Sequence, residues 1–163
     1  MNLAFRIPGE AVSATVRVVR FGNHSAIRKG SAAEAWESRI ATAAQEARGP
    51  LPLLEGPVAV EVSIRSVCPK GEMRKREPRP ERWKTTTPDV DKIARCVLDA
   101  LTGVLYRDDA QVAELRIEKR VAAQGMPAET TIEIHPLSEG VQTASGQSGQ
   151  VARQNPERAY MRE

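Results

Sequence analysis

Two pairs of aspartates bracket one short helical pattern in the stretch T-P-D-V-D-K-I-A-R-C-V-L-D-A-L-T-G-V-L-Y-R-D-D-A-Q-V. Asp89 and Asp91 stand at its entrance, and Asp108 and Asp109 lie just past its end. Carboxylates that converge offer hard oxygen ligands, the kind Mg²⁺ prefers. Immediately upstream, Lys70, Arg74, Lys75, Arg76, Arg79, Arg82 and Lys84 crowd a single segment. Clustered cations suit a polyanion such as a phosphodiester backbone. Acids and bases side by side point to a metal-dependent enzyme acting on nucleic acid.

Each acidic pair also has a plain structural role. Asp is a preferred N-cap, which suits Asp89, and Asp91 in the first turn complements the helix dipole. Asp108 and Asp109 suit a solvated turn before a strand. These roles explain the pairs singly and leave their combination about one helix unexplained. A strand returning to the sheet beside the helix is expected to bring Asp109 near Asp89 and Asp91. Three carboxylates so placed repel one another unless a cation or a proton relieves them. Arg95, one turn after Asp91, is positioned to offset that charge or to touch a phosphate.

The rest of the chain bounds the alternatives. At 163 residues it suits one domain with a real core. The hydrophobic fraction is 40% and the mean hydropathy −0.42, as in ordinary soluble proteins. No apolar run is long enough to span a bilayer, and M-N-L-A-F-R-I-P-G-E lacks the apolar core of a signal peptide. The expectation is a cytoplasmic protein with no membrane association. Cys68 and Cys96 read as two reduced core thiols, and isolated His24 and His135 make no zinc spacing. Net charge is only +3, from Lys+Arg 24 against Asp+Glu 21. Bulk charge is therefore weak evidence, whereas the separation of bases at 70–84 from acids at 89–109 is a focused field.

Several elements must position these groups. Leu3–Ile7 and Val12–Phe21 read as strands about the turn signal Pro8-Gly9, and Asn23–Gly30 as a basic loop. Ser31 and Glu34 match an S-x-x-E capping box, opening a helix that Gly49-Pro50 ends. Its apolar stripe is Ala33, Trp36, Ile40, Ala43, Ala44 and Ala47, with Trp36 read as core. Val58, Val60, Val62 and Ile64 alternate as a half-buried strand. Pro78, Pro80 and Pro88 forbid a continuous helix through the basic segment. A helix over about Val90–Thr102 buries Ile93, Cys96, Val97, Ala100, Leu101 and Val104, and shows Asp91, Arg95 and Asp99 on its other face. The alternation Ala113, Leu115, Ile117, Lys119, Val121 predicts a strand that pairs with Thr130–His135 across Gln124-Gly125-Met126-Pro127. The domain spans residues 1–137, and the Ser-, Gly- and Gln-rich segment 138–163 is expected to be a disordered tail.

D-V-D-K-I-A-R-C-V-L-D-A-L-T-G followed by D-D-A-Q-V resembles the RusA family of Holliday junction resolvases, whose pattern is D-x-D-N-L-x-K-x-x-x-D-A-L-x-G and then D-D-x-Q-V. F-R-I-P-G-E and the A-W-E helix also look like that family's N-terminal half. The resemblance covers about residues 3–135, and its specific part is 88–112. It implies an α+β fold, a small mixed sheet packed by two main helices, in a homodimer that binds branched DNA, the four-way junction. It implies strand cutting by Mg²⁺-dependent phosphodiester hydrolysis, with Mn²⁺ as an alternative ion. On this chain the metal ligands and catalytic acids would be Asp89, Asp91 and Asp109, with Asp108 and Asp99 in support. The family's catalytic lysine falls at Arg95, and the asparagine after the second acid is Lys92. Arg keeps the charge of Lys but gives up a proton far less readily. The basic segment would hold flanking phosphates without reading sequence.

Two rival readings stay open on sequence grounds. One is a catalytically weakened or inactive branched-DNA-binding protein on the same scaffold, suggested by Arg95. The other is a metal-dependent phosphohydrolase with a small nucleotide substrate, for which an extended cationic segment is superfluous.

Overall fold

Alternation of valine and isoleucine with smaller or polar residues between 58 and 66 makes a strand with an apolar face to cover. A computed structural model describes residues 2–13, 16–22 and 24–138, the side chains of 16–21 and 24–29 excepted. The elements in order are β1 (Leu3–Pro8), β2 (Val16–Phe21), β3 (His24–Lys29), α1 (Ser31–Arg48), β4 (Val58–Ser66), β5 (Arg82–Trp83), α2 (Val90–Leu101), β6 (Val112–Val121) and β7 (Glu129–Pro136). Short 3₁₀ turns occupy Lys70–Glu72 and Asp109–Gln111. Five strands form a mixed sheet in the order β1-β7-β4-β6-β5, and β2 and β3 pair as a separate hairpin. Within the larger sheet β4 and β6 are parallel and the other pairs antiparallel. The architecture is the expected α+β one.

The core lies between that sheet and both helices. Ala33, Trp36, Ile40 and Ala44 of α1 are buried, and so are Ile93, Cys96, Val97, Ala100 and Leu101 of α2. They meet Val58, Val60, Val62 and Ile64 of β4 and Ile132 and Ile134 of β7 in one cluster. Burying each such side chain stabilises the fold by roughly 1.5–3 kcal/mol. Trp36 is core, as its place on the stripe predicts. Cys68 and Cys96 are buried free thiols. The sheet's other face is charged: Arg65 pairs with Glu81 and Glu129, and Arg120 with Glu81 and Glu118.

Four local expectations are corrected. β6 does not pair with β7, because β4 lies between them and bonds to both. The connection from Ala122 to Ala128 is long enough to step across two strand spacings of about 4.8 Å each, where a tight turn would keep the strands adjacent. Residues 24–29, read as a loop, are strand β3, and the register Phe21↔His24 leaves only two residues between the strands. Gly22 there has φ 58, the positive value a two-residue hairpin needs. The strand expected over Val12–Phe21 begins at Val16. The capping box at Ser31 is also absent: Gly30 is the N-cap, and its carbonyl takes the first bonds from Ala33 and Glu34. Among the described residues no helix is long and apolar enough to cross a membrane. The tail expected at 138–163 lies outside the described residues apart from exposed Ser138.

Candidate metal and nucleic-acid site

Asp89 occupies the N-cap position of α2 but makes no side-chain cap. Its carboxylate instead accepts from the Lys92 ammonium at 2.7 Å. That hydrogen bond and charge, with help from Lys119, hold the Asp89 carboxyl below its ordinary value. Lys92 is raised in turn, first by the bond it donates to Asp89 and then by the charges of Asp89 and Asp91. Asp91 and Arg95 are exposed on α2, and their side chains form no hydrogen bond or ion pair among the described residues. The entrance of α2 is thus an acid pair in solvent, gathered about one lysine.

A second lysine fixes this entrance to the sheet. Lys119 of β6 donates to the carbonyls of Thr86 at 2.9 Å and Pro88 at 2.5 Å. It falls in the apolar phase of the β6 alternation, and a charge in that phase is the signal by which the sequence could have revealed it. Sequence reading counted it only as one position of the strand.

The second acidic pair divides by role. Asp108 accepts from the Ala110 amide at 2.9 Å in a reciprocal capping box with Gln111. Gln111 also donates to Leu54 and Gly56 carbonyls, tying this turn to the approach to β4. Asp109 is exposed, and its side chain holds no hydrogen bond or ion pair among the described residues. The turn borders an open hollow of about 630 Å³ lined by Leu54, Gly56, Arg107, Asp108 and Gln111.

Within one chain Asp109 does not reach Asp89 and Asp91. α2 runs back along β6, so its first residue lies by Lys119 and its last by the turn that precedes Val112. Between them runs α2, whose twelve residues span about 18 Å. Asp109 shares its surroundings with Asp99: both charges act on Tyr106, whose hydroxyl donates to the Leu98 carbonyl at 3.2 Å. Burial, with these charges behind it, raises Tyr106 well above the ordinary tyrosine range. Among the described residues no three Asp, Glu, His or Cys side chains gather closely enough to hold a metal ion.

The basic segment also divides. Arg79 donates through Nε to the Glu72 carbonyl at 2.7 Å, and Arg82 pairs with the Glu72 carboxylate. Gln124 bonds the backbone of Arg74 on both sides, through Oε1 to its amide and Nε2 to its carbonyl. The loop is therefore held by its backbone and two arginines. Among the described residues the side chains of Lys70, Arg74, Lys75 and Arg76 are exposed and have no partner, and Lys84 lies half-buried where β5 meets the path to Asp89.

Residues 8–135 match the family model described as endodeoxyribonuclease RusA. The chain belongs to the RusA endodeoxyribonuclease family. An uncharacterized Bacillus subtilis (strain 168) protein, YqaN, is 33% identical over 75 residues, covering 43% of this chain and 53% of YqaN. The match thus spans about half the length of that relative. The RusA match includes both acidic pairs, α2 and the whole basic segment, so the site lies inside the family region.

Proposed function

We propose that this RusA-family protein is a Mg²⁺-dependent endodeoxyribonuclease that resolves four-way DNA junctions in recombination and repair. The observation that carries the reading is the entrance of α2, where Asp89 sits at a cap position without capping and the Asp91 side chain makes no hydrogen bond or ion pair among the described residues. An acid pair that faces solvent instead of capping its helix, in a chain that also carries a solvent-facing cationic loop, suits a hard cation and a phosphodiester together.

The donors Asp89, Asp91 and Asp109 fit Mg²⁺ by chemistry, being carboxylates alone, and they would fit Mn²⁺ as well. Such an ion supplies an activated water and neutralises charge on the scissile phosphate. The remaining work falls to the chain. Arg95 and Lys92 offset negative charge as it develops on the phosphate, a role that needs fixed cations and no proton transfer. Lys119 holds the Thr86–Pro88 carbonyls and so sets where Asp89 stands. Arg74, Lys75 and Arg76 take flanking phosphates.

Because one chain separates Asp109 from the other two acids, a twofold homodimer completes the reading. An axis across the middle of α2 carries the Asp109 end of one copy toward the Asp89 end of the other, and yields two sites for paired cuts. The test is cleavage of a synthetic four-way junction beside a linear duplex of the same sequence, with and without Mg²⁺. Junction cutting that requires Mg²⁺ and disappears in Asp91→Asn is expected. Tight junction binding without cutting in any divalent metal would favour the inactive branched-DNA-binding alternative, and no junction binding would remove the proposal.

A further inference from the structure

Trp83 has no place in the site described so far. It is 63% exposed, whereas Trp36, the other tryptophan of the chain, is 1% exposed. A large ring left in water forgoes the burial that Trp36 obtains. Trp83 lies on β5, a two-residue strand at the sheet edge, opposite Arg120 of β6. The Arg120 guanidinium covers one face of the ring, 4.1 Å from its centroid. Arg120 is held in turn by Glu81 at 3.1 Å and Glu118 at 3.4 Å. The ring is thus braced from behind, and its exposure belongs to the other face and the edge.

The segment that carries Trp83 also leads into the acidic entrance. Arg82 and Lys84 flank Trp83 in sequence, and the Lys84 amide bonds to the Lys119 carbonyl at 3.1 Å. Lys119 in turn holds the carbonyl before Asp89. Trp83 and the acidic entrance are therefore anchored on successive residues of β6. Successive strand residues face opposite sides of a sheet. The ring and the acids accordingly flank one sheet edge.

We propose that the open face of Trp83 is a stacking platform for a nucleobase unstacked at a DNA branch point, and so selects branched over continuous DNA. The inference rests on the nuclease reading above. Base–aromatic stacking needs no hydrogen-bond code, and a guanidinium behind the ring extends the stack with a cation–π contact. In continuous duplex every base is already covered by its neighbours, so the ring has nothing to meet. A nucleotide at a branch can place its phosphate on the acid side of the edge and turn its base over to Trp83.

Tryptophan emission reports this directly, since Trp36 is buried. Without divalent metal, a four-way junction should quench the emission of the unaltered protein, and a linear duplex of the same sequence should not. Trp83→Ala should weaken junction binding by about 5- to 150-fold, the range of one lost base stack, and leave duplex binding unchanged. Trp83→Phe keeps a ring and should retain most of the preference, which separates stacking from loss of fold. Equal losses on both DNAs, or junction binding without quenching, would overturn the platform and leave the ring as a brace for Arg120. Absence of junction binding by the unaltered protein would overturn the nuclease reading as well.

Discussion

Four aspartates around α2 carry the same side chain into different employment. Asp108 caps a turn, Asp89 sits at a cap position but faces Lys92, and Asp91 and Asp109 stand in solvent. Residue type announced carboxylate chemistry in the sequence, because spacing about D-A-L-x-G is visible there. Which acid the fold consumes depends on rotamers and neighbours, and those were not legible. The Asp89–Lys92 pair makes a sign-definite expectation. Asp89 is lowered, so the pair exists above the ordinary carboxylate range and is lost as pH falls through the depressed value. Lys92→Ala removes the largest cause and should move the Asp89 midpoint upward toward an ordinary aspartate. Carboxyl-carbon NMR titration reads that midpoint, and an unmoved value would assign the depression to Lys119 instead.

At the scale of elements, the basic segment read in sequence as seven equivalent cations. Folding sorts them, because Glu72 holds Arg79 and Arg82 while Gln124 pins the backbone of Arg74. The arginines that build the loop have little freedom to follow a phosphate. Neutralising Arg74, Lys75 and Arg76 together should weaken binding alike across sequences and reduce the slope of log affinity against log salt by about 3. An unchanged slope would make those three a solvated surface only. Helices and strand periods were readable because one apolar face repeats at its own spacing, as in α1 and β4. Strand partners were not, since β4 comes between β6 and β7 from far upstream in the chain and alternation carries no address. The β2–β3 hairpin was legible in principle at Gly22-Asn23 and was hidden by the basic residues around it.

For the whole molecule, the distance between the two ends of α2 makes subunit number a chemical question. If Asp109 of one copy serves Asp89 and Asp91 of another, two inactive variants can repair each other. A dimer of one Asp89→Asn chain with one Asp109→Asn chain then holds one doubly altered site and one intact site. Mixing the two proteins should restore nicking of one junction strand, whereas each alone stays inactive. If all three acids acted within a single chain, every site in the mixture would carry a lesion and no activity would return. Sequence offered no interface to read, and the homodimer entered it solely through family resemblance.

The strand order has a consequence in time. β1 opens the described chain and is hydrogen-bonded to β7, its last strand, along the register Leu3↔Ile134 to Pro8↔Glu129. β7 also supplies β4 with its second neighbour. During synthesis the acids, the basic loop and Trp83 all leave the ribosome before the strand that completes the sheet. Contacts of such long sequence separation form late and slowly. The nascent chain therefore carries every charged group of the site while still lacking the strand that completes the sheet beneath them.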